Sequence, residues 1–303
     1  MHKLLDENSK TLKLSDGRLL GYTEVGDPEG KVLFHFHGLN SSRLEVKIVH
    51  GQMLKAKIRF IGIDRPGIGL STFQENRKVL DMVDDLEELA GSLGIKKFSV
   101  LGISSGGKYA LACAYKIPHR LISCNVISGA SPMEFINEDM DKAIHLFISF
   151  IQKAPWIIRP TYWFLYARLS QNISKSDQFL DNIFATLGEV DKKLLEEETI
   201  KKMLLEAFRE SYVQGSKGVA YDAGFDLIKY SWGFKLEDIN FPNIHFWHGA
   251  LDKGIPLSMV KSMIEKISGA ILKVYPHDGH MSIVINQIEE IIEDIIGSVK
   301  NKG

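Results

Sequence analysis

The sequence predicts an α/β fold: a mainly parallel sheet flanked by helices, with an inserted helical segment. Three observations predict it. Compact apolar runs at residues 32–36, 59–63, 98–103 and 121–127 have the length and composition of buried strands, and the segments between them are long enough for helices. Strands alternating with helices need crossover connections, and crossovers make neighbouring strands parallel. Between residues 131 and 235 the strand signal fades into helical spacing, and it returns after residue 244.

In chain order, runs at 11–14 and 19–25 bracket the turn Ser15-Asp16-Gly17 and precede a second turn, Asp27-Pro28-Glu29-Gly30, so an antiparallel hairpin should open the fold. Helices are expected over 44–56, 79–93 and 105–115, between the four parallel strands. Apolar residues recur at helical spacing in 135–150, 163–169, 178–187 and 200–212. This divides the chain into a core, 1–130 and 236–303, and a helical insertion, 131–235. Within the insertion, the charge run 191–198 reads as a solvated helix face, with Asp191 able to cap a helix and Lys192 and Glu196 as i,i+4 neighbours. A strand at 244–248, a helix at 257–267, a strand at 270–275 and an amphipathic helix at 282–299 complete the core.

Composition removes several function classes. The 303 residues carry 37 basic and 38 acidic side chains, a net charge of −1, so no broad electrostatic attraction to nucleic acid is expected. No uninterrupted apolar stretch reaches the ~18 residues of a membrane span, and the N-terminus has no apolar signal-peptide core, so a cytoplasmic protein without stable membrane insertion is expected. Cys113 and Cys124 are too few for a disulfide framework or a four-thiolate zinc site and sit in apolar stretches, as core residues do. His35 and His37 are spaced as metal ligands can be, but no further partners follow nearby; no metal or cofactor is expected.

The chemistry concentrates in Gly102-Ile103-Ser104-Ser105-Gly106-Gly107, between a strand and a helix. A Gly-x-Ser-x-Gly in that setting presents its serine on a sharp turn, with a helix N-terminus behind it to favour negative charge. Ser104 is the expected nucleophile. The same stretch fits G-x-x-x-x-G-K through Lys108, but Tyr109 stands where a nucleotide-binding loop needs a magnesium-ligating hydroxyl, which disfavours that reading. A serine nucleophile needs a histidine base and an orienting carboxylate later in the chain. Asp252 follows the strand at 244–248, and His277 and His280 follow the next one; His280 is preferred because Gly279 frees its loop, whereas His277 follows Pro276 directly. Two N–H donors for an oxyanion should come from Ser105 and from Leu39, in the loop His37-Gly38-Leu39. Asp64, in a Pro/Gly-rich turn, reads as an acceptor of backbone hydrogen bonds. Tyr162, Trp163 and Tyr166, at helical spacing in the insertion, are candidate substrate-binding residues.

These motifs together resemble the α/β-hydrolase superfamily, in its capped esterase/lipase-like branch. His37-Gly38 looks like its oxyanion loop, Asp64-Arg65-Pro66-Gly67-Ile68-Gly69-Leu70-Ser71 like its Asp-x-x-Gly-x-Gly-x-Ser turn, and the segments at Ser104, Asp252 and His280 follow in matching order. The resemblance implies an α/β-hydrolase fold, a catalytic triad of Ser104, Asp252 and His280, a helical cap at 131–235, and hydrolysis of a small acyl substrate without cofactor. A serine at the elbow speaks against relatives that use aspartate there. The alternative is a small-molecule sensor that keeps the triad and uses the pocket for ligand-induced partner binding.

Overall fold

The structure, a computed structural model, describes residues 9–135, 139–140, 142–167, 172, 177, 180–181, 184, 186–227 and 231–300. Eight strands form one sheet: β1 (Ser9–Lys13), β2 (Leu19–Gly26), β3 (Lys31–Phe36), β4 (Ile58–Ile63), β5 (Phe98–Ile103), β6 (Leu121–Ile127), β7 (Ile244–Gly249) and β8 (Ile271–Tyr275). Their spatial order is β1-β2-β4-β3-β5-β6-β7-β8. The opening hairpin pairs antiparallel, as does β2 with β4; every pairing from β4 to β8 is parallel.

The sheet is covered on both faces, and strand alternation distributes the side chains between them. In β3, Phe34 and Phe36 enter one core while Leu33 enters the other. The first core is closed by α2 (Asp81–Ser92) and α3 (Gly107–Lys116), through residues such as Leu86, Leu89 and Leu111. The second is closed by α1 (His50–Lys55) and a long C-terminal helix, Ser282–Lys300. On that helix Ile288, Ile291, Ile292 and Ile295 recur at 0, +3, +4 and +7, one stripe of a 3.6-residue period. Each such burial is worth about 1.5–3 kcal/mol by transfer, an upper value because unfolded chains are already partly compact. Cys113 and Cys124 are buried free thiols, as expected.

Some expected elements differ. Residues 44–56 form a 3-10 segment, Arg43–Val49, before α1 takes over. The Arg43 amide donates to the Asp64 carboxylate (2.8 Å), tying the start of this segment to a neighbouring loop. The late helix ends at Ile264 rather than 267.

Between β6 and β7 the described residues form helices and turns and no strand. They include α4 (Lys142–Lys153), α5 (Glu198–Ser211) and α6 (Lys217–Leu227), followed in the core by α7 (Leu257–Ile264) and α8 (Ser282–Lys300). Where a helix was expected at 163–169 the described residues form the π turn Tyr162–Ala167, residues 168–169 lying outside them, and α6 lies where no helix was expected. Half of the expected helix at 178–187 falls outside the described residues, and the residues described there are helical. The charge run at 191–198 is not a uniformly solvated face: Asp191 is fully buried.

Candidate functional site

The loops after β3, β5, β7 and β8 all leave the carboxyl edge of the parallel sheet, where sites of open α/β sheets assemble. The turn after β5 presents Ser104. Ser104 has φ +52°, a left-handed conformation that a side chain disfavours. The flanking glycines allow it by close approach: a Cβ on Gly102 would lie 2.4 Å from the Gly106 carbonyl oxygen, and one on Gly106 would lie 2.0 Å from that of Phe36. Neither position has room for a side chain.

The loop after β7 folds around Asp252. Gly254 and Ile255 donate their amides to Asp252 Oδ1 (2.9 and 2.8 Å), which leaves Oδ2 to meet His280 Nδ1 at 2.7 Å. An ionised Asp252 fixes the proton on Nδ1 and leaves Nε2 as the basic nitrogen. Burial alone would lower the His280 imidazole; the charge of Asp252 and its hydrogen bond outweigh burial and hold the pKa above its ordinary value. His277 is exposed, and Asp278 is occupied by the amides of Asn286 and Gln287 (2.7 and 2.8 Å). The connection after β6 touches both neighbouring loops: Ala130 donates its amide to the Ser104 carbonyl (2.9 Å) and Ser128 Oγ donates to the His280 carbonyl (2.9 Å). No hydrogen bond joins Ser104 Oγ to the His280 ring.

The loop after β3 is held from below. Arg65, fully buried, donates to the carbonyls of His37 and Gly38, the latter at 3.0 Å, and His37 Nδ1 donates to the same Gly38 carbonyl at 2.8 Å. A trans peptide points its N–H opposite its carbonyl, so anchoring the Gly38 carbonyl turns the Leu39 amide to the other side. The Gly38 amide is used elsewhere, donating to Glu45 Oε2 (3.0 Å), which His35 Nε2 also meets at 2.9 Å.

Next to this loop a charged network joins the sheet's loops to the helical segment between β6 and β7. Asp222 of α6 meets Arg65 at 2.7 Å and Arg77 at 3.0 Å and accepts from the Tyr109 hydroxyl. Burial would raise its pKa; Arg65, Lys108 and Arg77 outweigh that and hold it well below the carboxylate range. Asp226, one turn on, accepts from Lys108 Nζ (2.9 Å) and from Ser105 Oγ (2.5 Å). Lys108 is wholly buried and also donates to the Ser105 carbonyl and hydroxyl, so it does not extend toward a bound phosphate. Arg43 is shared by Asp64 and Glu210, each at 2.7 Å. Asp64 also accepts the amides of Arg43 and Leu70 (2.8 Å each), the structural role its turn predicted.

Asp191, in the segment between β6 and β7, reaches the loop after β8. Its carboxylate accepts the amides of His280 (2.9 Å), Met281 (2.9 Å) and Ser282 (2.7 Å), the groups that open α8. It does cap a helix, but one about ninety residues away. A carboxylate at a helix N-terminus satisfies orphan donors and meets the positive dipole end. Asp191→Ala should destabilise the protein by about 1–2 kcal/mol, as cap losses do. It should also lower the pKa of His280, because Asp191's charge raises it. A thermal melt together with a pH titration of the His280 ring checks both; an unchanged ring pKa would leave Asp191 a purely structural cap.

The insertion aromatics divide. Tyr162 is buried and stacks on Tyr166 (4.8 Å between centroids), which stacks on Tyr212 (6.3 Å); Trp163 is 57% exposed and turns outward beside Arg159 and Gln214. Tyr212 donates its hydroxyl to Asn40 Oδ1 (2.5 Å), so the stack reaches the loop after β3. Trp163 does not join it. A cavity of about 820 Å³ lined by Pro132, Phe225, Trp232 and Phe234 has none of Ser104, Asp252 or His280 in its wall. Asp191, Asp222, Asp226, Glu45 and His248, the last 3.6 Å from Asp252, were not singled out for the site from sequence. Only Asp191 carried a local signal, the capping one, and its target was hidden.

A family model described as the alpha/beta hydrolase fold matches residues 31–287. Among curated proteins, the "Putative carbamate hydrolase RutD" of Caulobacter sp. (strain K31) is 25% identical over 239 residues, 76% of each chain. A proline iminopeptidase of Xylella fastidiosa (strain 9a5c) is 33% identical over 114 residues, 36% of each chain. Among solved structures, the esterase EaEST from Exiguobacterium antarcticum superposes with a TM-score of 0.69 at 19% identity, covering 96% of this chain and 99% of that one, a likeness of fold. The sheet order, the strained turn after β5 and a family match over most of the chain agree: the protein belongs to the α/β-hydrolase fold family.

Proposed function

We propose that the protein is a serine hydrolase that cleaves a carboxylic ester or a related small acyl compound through Ser104, His280 and Asp252. The observation that carries the proposal is the backbone of Ser104. A non-glycine residue held at φ +52° costs about 1 kcal/mol or more, and such strain persists where it positions a reacting group. In the proposed reaction His280 Nε2 takes the Ser104 hydroxyl proton as Oγ attacks the carbonyl carbon. The Leu39 and Ser105 amides receive the oxyanion, His280 returns the proton to the departing oxygen, and water repeats the sequence on the acyl-enzyme. The insertion, residues 131–235, acts as a cap; Asp191, Tyr212, Asp222 and Asp226 support this by reaching the site's loops from that segment.

A fluorophosphonate should label Ser104 alone, read by peptide mass spectrometry; labelling at another serine overturns the assignment. The base must be neutral to accept a proton, so the acylation rate should rise with pH through a midpoint above the ordinary imidazole value of ~6.5. Asp252→Asn removes the charge that raises His280, and the midpoint of the slowed enzyme should move to lower pH. A midpoint that stays fixed would remove Asp252 from the role.

A further inference from the structure

The net charge of −1 conceals an uneven distribution. From Lys142 to Ala167 the chain carries Lys142, Lys153 and Arg159 and not one Asp or Glu. All three cations are exposed, and none forms an ion pair among the described residues. The same segment holds large apolar side chains turned to solvent: Leu146 is 71% exposed, Phe150 53%, Trp156 75% and Phe164 59%. On α4, positions 142, 146, 150 and 153 share one face, so Leu146 and Phe150 stand in a row with a lysine at each end. The opposite face is satisfied, with Ile148 and Ile151 buried. The outward row is therefore not needed to hold the helix down.

We infer that this face docks on an anionic lipid surface, and that the site draws an amphiphilic ester from it. The second half rests on the hydrolase reading; the first does not. The positive charge of Lys142, Lys153 and Arg159 complements anionic headgroups, and lysine stems lie along apolar surface while their ammonium groups stay in water. An exposed indole suits the same depth, with its ring among the acyl boundary and its N–H in the headgroups. A protein partner would have to meet the row with an apolar stripe rimmed by acids; a bilayer supplies both with no matched shape. The segment that carries the face also reaches the loop after β3. Tyr162, a few residues beyond Trp156, begins the stack through Tyr166 and Tyr212 to Asn40, next to Leu39. The mode is peripheral, since no helix among the described residues is long and apolar enough to cross a membrane.

Sedimentation with vesicles tests docking in a Ser104→Ala background, where no lipid is consumed. The protein should sediment with phosphatidylcholine/phosphatidylglycerol vesicles and much less with pure phosphatidylcholine, and the difference should fade in high salt. The charge reversal Lys142→Glu/Lys153→Glu/Arg159→Glu should weaken binding by over 100-fold, since each cation near such a surface contributes about fivefold. With Ser104 intact, Leu146→Ser/Phe150→Ser/Trp156→Ser should weaken vesicle binding over tenfold while turnover of a short water-soluble ester is unchanged. No sedimentation with anionic vesicles, or sedimentation that ignores both triple variants, overturns docking. So does ultracentrifugation showing a dimer that the apolar triple variant dissociates, because a second copy would then own the face. If docking holds and the soluble ester is cleaved but a long-chain ester in the vesicle is not, the substrate half falls. If no ester of either kind is cleaved, the hydrolase reading fails while docking stands.

Discussion

Replacing Ser104 by alanine is expected to cut ester turnover by ~10⁴–10⁶, because in the proposed reaction nucleophile, base and orienting acid act as a unit and the loss of the nucleophile disables all three. The fold should not notice. Alanine keeps the Cβ, so the backbone at φ +52° stays as strained as before and the melting temperature should move little. Ser104→Gly separates chemistry from strain. Glycine adopts this conformation freely, so that variant should be equally inactive but more stable by about 1 kcal/mol. An alanine variant that retains more than a few per cent of wild-type kcat would end the proposal, and a glycine variant no more stable than wild type would deny that the turn stores strain.

The second large effect is expected at Asp222, which never meets the substrate in the proposed reaction. Its carboxylate is wholly buried between Arg65 and Arg77, and Asp222→Asn keeps the shape while removing the charge. Two guanidinium groups would then lie buried without their counter-charge, a situation that costs about 3–5 kcal/mol when one partner of a buried pair is removed. For a chain of this length that corresponds to a fall of roughly 5–8 °C in melting temperature. Turnover measured well below the new melt should fall too, because Arg65 anchors the Gly38 carbonyl and with it the direction of the Leu39 amide. A melting temperature within 2 °C of wild type would show that the pair contributes no net stability. A large melting loss with kcat intact would show that Arg65 holds the loop without help from Asp222.

The local patterns were legible because they act over a few residues. The short length of the continuous apolar runs and a period near 3.6 over the last helix mark buried strands and a buried helix face, whatever lies opposite, and so the sheet and its crossovers could be read in chain order. The turn at Ser104 was equally local: glycines two positions to either side state that backbone crowds there, and a Cβ at either would come within 2.4 Å or 2.0 Å of a carbonyl oxygen. Where packing opposed propensity, reading was poorer. The 3-10 segment Arg43–Val49 interrupts an expected helix at the point where the Arg43 amide is drawn to Asp64. The π turn Tyr162–Ala167 stands in place of another, with Tyr162 stacked on Tyr166 across the aromatic core of the insertion.

By itself, then, the sequence determined the α/β class, the order of the strands along the chain and the turn that exposes Ser104, since each follows from sterics and burial within one element. Tertiary structure alone decided the electrostatics. Asp191 lies 89 residues before the His280 amide it accepts, and Asp222 lies 157 residues beyond Arg65. Charge acts through space and is indifferent to chain separation, and burial multiplies its effect by removing the water that would screen it. A carboxylate in a linear string of charges looks solvated until folding shows which cation or amide it faces. For that reason Asp191 read as part of a wet helix face and proved to be the buried acceptor beneath the histidine loop.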